Sequence, residues 1–176
     1  MSLASYLIPL PVIVPLLGAG VTLAFSHHPR IQRLVTIVTL AFVLGVAVVL
    51  LRLADRDGVQ VVHVGGWPAP LGITLVADRL STLMLCVSIA VTLCVLLFSL
   101  GQGLADQDAQ TPVSIYHPTY LVLSAGVSNA FLSGDLFNLF VGFEILLAAS
   151  YVLLTLGGTG ARVRAGTTYV VVSLLS

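Results

Sequence analysis

Glu144 is the residue best placed to do chemistry. It lies near the middle of a run of about 21 apolar residues, 136–156, long enough to cross a bilayer as a helix. A carboxylate at that depth costs a few kcal/mol on insertion scales, so it needs a partner, water or a proton. Asp135 stands at the entrance of the same run, roughly 12 to 14 Å from Glu144 by helical rise. The chemistry such an acid supports is holding and releasing a proton as a neighbouring charge moves, because burial raises a carboxyl pKa and a nearby cation lowers it. A neutral Glu144 carboxyl that only hydrogen-bonds to a neighbouring helix is the structural alternative.

Helical spacing places Phe137, Phe140, Val141, Glu144, Ala148 and Tyr151 on one face. That face predicts an acid shielded by aromatics one turn before it. Ser124, Ser128 and Asn129 lie in the preceding apolar run and are accessory candidates, either packing helices together or lining a wet cavity. No obvious cationic partner is present. The seven basic residues are all arginines and fall at the ends of apolar runs. His27, His28, His63 and His117 fall in breaks or at a loop edge and are expected at the surface or the membrane interface, not in a proton relay. Asp78, Arg79 and Asp135 read as helix-end charges, Asp135 in favourable register with a helix dipole.

These residues sit in a chain built for lipid. Charged residues are 8% and hydrophobic ones 58%, with a mean hydropathy of +1.11, where a soluble domain would carry about a quarter charged residues. The expected class is an all-α polytopic membrane protein. Seven arginines balance seven acids, so no basic patch points to nucleic acid. Cys86 and Cys94 are eight residues apart on one helix, about 12 Å along its axis, too far for a disulfide. No metal, flavin, iron–sulfur or nucleotide motif is present, and no cofactor is expected.

Five complete spans are expected, at 6–25, 34–51, 80–100, 118–132 and 136–156, with the start of a sixth at 167–176. The first lacks a basic leader region and reads as a retained helix. Between spans two and three, β-prone runs flank a Gly- and Pro-rich stretch at 65–70, which predicts a small extramembrane hairpin over 59–78, with Trp67 suited to the interface. A polar loop with Asp106 and Asp108 follows the third span. The chain divides into 1–100, three helices and the hairpin, and 101–176, a loop and the start of a second helical unit that looks truncated. Four arginines against three lean the ends at 26–33, 101–117 and 158–166 to the cytoplasm.

The strings GGWPAPLGITLVAD (65–78), GDLFNLFVGFE (134–144) and ASYVLL (149–154) resemble the D-type subunit of multisubunit, Mrp-type sodium/proton antiporters. That subunit is similar to the antiporter-like membrane subunits of respiratory complex I. The resemblance covers essentially the whole chain but only the first third or so of such a subunit. It implies about fourteen helices in the full family fold, with inverted five-helix repeats. It further implies that Glu144 pairs with a lysine on a seventh helix, which this sequence does not reach. The implied activity is exchange of a monovalent cation, Na+, for protons across the cell's inner (plasma) membrane, together with other antiporter subunits in a hetero-oligomer. Two other readings stay open: a proton-pumping subunit of NADH–quinone oxidoreductase, with the redox chemistry in its partners, and a non-conducting scaffold.

Overall fold

The computed structural model describes residues 3–67, 72–101, 113–156 and 160–175. The expected loop acids Asp106 and Asp108 lie outside them. The chain opens with a short helix α1 (Leu3–Leu7) and then α2 (Leu10–Ala24). Pro9 and Pro11 sit where α2 begins, so their missing N–H groups fall among donors a helix start leaves unpaired anyway. Helix α3 (Pro29–Asp57) is 29 residues, about 43 Å by helical rise. That exceeds the roughly 30 Å of bilayer hydrocarbon. The expected span 34–51 is therefore only its apolar middle, and the polar flanks continue the helix instead of breaking it.

The hairpin forms where the sequence places it. β1 (Gln60–His63) pairs antiparallel with β2 (Thr74–Ala77), from Gln60 opposite Ala77 to His63 opposite Thr74. A 3-10 turn, Val64–Gly66, follows β1, with Gly65 and Gly66 at φ 73° and 76°, a region that only glycine enters freely. Trp67 is exposed just after it. Asp78 then caps α4 (Arg79–Gly101): its Oδ1 accepts from the Ser81 N–H, and the Ser81 hydroxyl accepts from the Asp78 N–H. The Ser81 N–H first, and then the Ser81 hydroxyl, hold the Asp78 carboxyl below the usual carboxylate range.

Helix α5 (Val113–Leu132) begins five residues earlier than the expected 118–132, because Pro118 falls in its second turn without ending it. α6 (Leu136–Thr155) follows, and α7 (Gly160–Leu175) starts well before residue 167. Among the described residues, Ser5–Ala24, α3, α4 and α6 are long and apolar enough to cross a membrane. α5 is too polar to join them, yet it crosses the bundle: it starts on the side where α4 ends, and the segment after it bonds to β2, on the side where α4 begins.

The distribution of polarity is that of a membrane protein. α5 packs on α2, α3, α4 and α6 and carries buried His117, Ser124, Ser128 and Asn129. The outward surface is apolar, with Val38, Phe42, Val87, Val91 and Phe98 all exposed. Lipid tails are as apolar as leucine, so burial of hydrophobic side chains does not drive helix contact there; small and polar residues make the interfaces. Apolar clusters fill the two ends of the bundle, around Leu50, Leu85 and Ile89 near the hairpin and around Leu40, Leu96 and Leu121 away from it.

Candidate functional site

The site is built on α6. Asp135 is its N-cap: Oδ1 accepts from the Asn138 N–H at 2.7 Å. Oδ2 accepts from the Thr74 N–H of β2 at 3.0 Å. The Gly134 N–H donates to the Thr74 carbonyl at 2.8 Å, and Leu75 bridges to Ser133. The hairpin is thereby fastened to the start of the helix that carries Glu144. Gly134 allows the approach, since a Cβ there would fall 2.5 Å from Val76 Cγ2. The N–H groups of Asn138 and then Thr74 hold the Asp135 carboxyl below its ordinary range.

One side of α6 closes on α5. Asn138, Gly142 and Ala149 are its buried positions. Gly142 faces the Ala130 backbone and Gly126 of α5 faces the Leu146 backbone, so the two helices meet through glycine on both sides. Above this contact, Asn129 and Asn138 exchange side-chain bonds at 3.1 and 3.2 Å, and Asn129 Nδ2 also donates to the Asn138 carbonyl. Sequence reasoning singled out Asn129 but missed Asn138. The signal was present: an amide in the first turn of an otherwise apolar helix needs a partner.

Glu144 lies about 200° around α6 from Gly142, so it turns away from α5. It is exposed, and Phe137 and Phe140 on its face are 73% and 60% exposed. The expected aromatic shield is not formed among the described residues: the aromatics stand beside the acid on an open face, because the glycine side of α6 is the one that packs on α5. The face is partly covered by α7. Glu144, Tyr151, Thr167, Tyr169 and Ser173 line a groove of about 380 Å³ between the two helices. Tyr151 thus joins Glu144, as its spacing predicts.

The accessory candidates divide. Asp135 reaches Glu144 only along the helix, and Asn129 touches the entrance of α6. Ser124 and Ser128 lie on the opposite side of α5 from Gly126 and do not share the groove. His117, expected at the surface, is fully buried on that same far side. Its position at a loop edge concealed the helical turn that precedes it, since α5 begins at Val113. No group of His, Cys, Asp and Glu able to hold a metal occurs among the described residues.

No protein-family model matches the chain. It is 35% identical over 170 residues, 97% of its length, to the D-type subunit of the Na(+)/H(+) antiporter of Alkalihalophilus pseudofirmus, of which it covers 34%. It is 38% identical over 175 residues to the D-type subunit of a probable K(+)/H(+) antiporter of Rhizobium meliloti, covering 31% of that protein. Among solved structures it superposes on a chain of the Mrp complex from a Dietzia species with a TM-score of 0.89 and 35% identity, over 99% of this chain and 32% of that one. The chain therefore spans about a third of the length of each.

Proposed function

We propose that this chain, homologous over nearly its whole length to a third of the D-type subunit of Mrp antiporters, is a multi-pass plasma-membrane component of a monovalent cation/proton antiporter. Glu144 is its intramembrane acid on the ion path, and the other antiporter subunits are its partners. The observation that carries this is one carboxylate halfway along an apolar helix, opening on a groove shared with the Tyr151 and Tyr169 side chains. An acid on such a face meets protein, water or a proton, because facing lipid as an anion is too costly. The relatives' names include both Na+ and K+ as cations, so the reading is of a monovalent cation. Those names favour the antiporter over a redox-linked pump.

The test is Glu144→Gln in the protein with its native partners, assayed by cation-driven proton exchange in membrane vesicles. Exchange falls to background while the amount of protein in the membrane is unchanged. Glu144→Asp retains part of it. Exchange at the unmodified rate in both Glu144→Gln and Glu144→Ala would leave the scaffold reading in its place.

A further inference from the structure

The far side of α5 carries a second polar feature, distinct from the Glu144 groove. His117 is wholly buried, and neither ring nitrogen has a hydrogen-bond partner among the described residues. Ser124 lies seven residues on, two turns along the same side, and its Oγ is buried and equally unpartnered. Between them on that side is Leu121, whose Cδ1 lies 3.2 Å from where a Cβ on Gly18 of α2 would stand, beside Thr39 of α3. The side thus faces the seam where α2, α3 and α5 meet.

Beside the apolar cluster of Ala19, Leu40 and Leu121, the seam carries polar side chains from all three helices. Thr22 of α2 and Gln32 and Thr36 of α3 are fully buried, and Gln32 Nε2 donates to the Thr22 carbonyl at 2.8 Å. An imidazole always presents a donor, and when neutral an acceptor as well. Left unmet in a buried site, each such group costs about 1 to 3 kcal/mol. His117 has no accessible surface, so no helix added to the outside of this bundle can reach it. A partner must be small enough to lodge between packed helices and must both donate and accept.

We propose that the seam between α2, α3 and α5 is an internal water site, in which water hydrogen-bonds to the His117 imidazole and to the Ser124 hydroxyl. Buried water at otherwise unsatisfied groups is an ordinary structural component. Here it sits among the last turn of α2 and the first turns of α3 and α5, on a helix too polar to count as a span by hydropathy. The polarity of α5 then reflects hydration of its α2–α3 side as well as its contact with α6. The site stands independently of any role for Glu144.

The experiment is hydroxyl-radical footprinting of the protein in lipid nanodiscs, isolated with its native partners, where radicals generated from bound water modify adjacent side chains. His117 and Leu121 are modified severalfold faster than Leu50, Leu85 and Ile89, which are equally buried in the other apolar cluster, away from His117 and Ser124. In His117→Leu, modification of Leu121 drops to the rate of those controls; Ser124→Ala, a smaller change, gives a partial drop if the leucine variant does not assemble. Modification of His117 and Leu121 in the unmodified protein no faster than Leu85 overturns the proposal. Glu144→Gln leaves the pattern unchanged, so a dry seam and a failed ion path are told apart.

Discussion

At the scale of single residues, Asp135 is the side chain whose consequences are most fully determined by geometry. Its two carboxylate oxygens serve two donors from different elements, the Asn138 N–H of its own helix and the Thr74 N–H of the hairpin. Asp135→Ala removes both acceptors and costs about 2 kcal/mol, a helix cap plus one strand donor left unmet. Asp135→Asn keeps a good cap and loses less, and thermal unfolding in detergent ranks the three proteins in that order. The acid dependence has a definite sign. A carboxyl held below its ordinary value when folded contributes stability that is complete above its unfolded pKa, about 4, and is lost as pH falls through the lower folded value. The gap between the unmodified protein and Asp135→Asn therefore stays constant from neutral pH down to about 4 and closes below it. In the sequence this residue is legible as a helix-start acid, because capping is local. Its second bond is not, since Thr74 lies 61 residues away. His117 was misread for a related reason: its depth depends on three helices converging, which no local pattern reports.

At the scale of elements, the α5–α6 pair holds the candidate site in place, and it is glycine-mediated. A Cβ on Gly126 would stand 3.0 Å from the Leu146 backbone nitrogen, an atom that cannot swing aside. Gly126→Ala is expected to cost about 1 to 3 kcal/mol through forced separation of the helices. Gly20→Ala is the internal control. Gly20 is helical and nothing lies within 4 Å of its Cβ position, so alanine there is neutral or stabilising by up to about 1 kcal/mol. Equal losses at both positions in thermal unfolding would show that α5 and α6 do not meet through Gly126. The hairpin and the apolar helices were legible in the sequence, because turn glycines and hydropathy are properties of short stretches. The helix ends were not: α3 keeps its hydrogen bonding through Arg30 and Arg33 at one end and Asp55 to Asp57 at the other, where a reading by polarity stops it. The open Glu144 face escaped for the opposite reason, since a helical wheel gives the residues of a face but not which face a neighbouring helix takes.

At the scale of the whole molecule, the two ends of the bundle differ in chemistry, and that difference predicts a direction in the membrane. One end gathers Asp55, Asp57, the hairpin, Asp78 and the Ser133 to Asp135 segment, with Arg79 bonded to Asp55 at 2.9 Å. The other gathers His27, His28, Arg30 and Arg33 around a groove of about 570 Å³, together with the end of α4. The crossing of α5 makes this division consistent, since without it Asp135 and the hairpin could not meet. Arginines in short flanking segments orient membrane proteins more than acids do. With four arginines at one end (Arg30, Arg33, Arg162 and Arg164) against three at the other (Arg52, Arg56 and Arg79), the expected arrangement has the four-arginine end cytoplasmic and the hairpin outward. A phosphatase reporter that folds only outside the membrane should be active when inserted at Gly66 and inactive when fused after Gly101. The reverse pattern would place the hairpin and the Asp135 fastening in the cytoplasm, so the Glu144-bearing helix would be anchored from the inner side and the groove approached from the opposite leaflet.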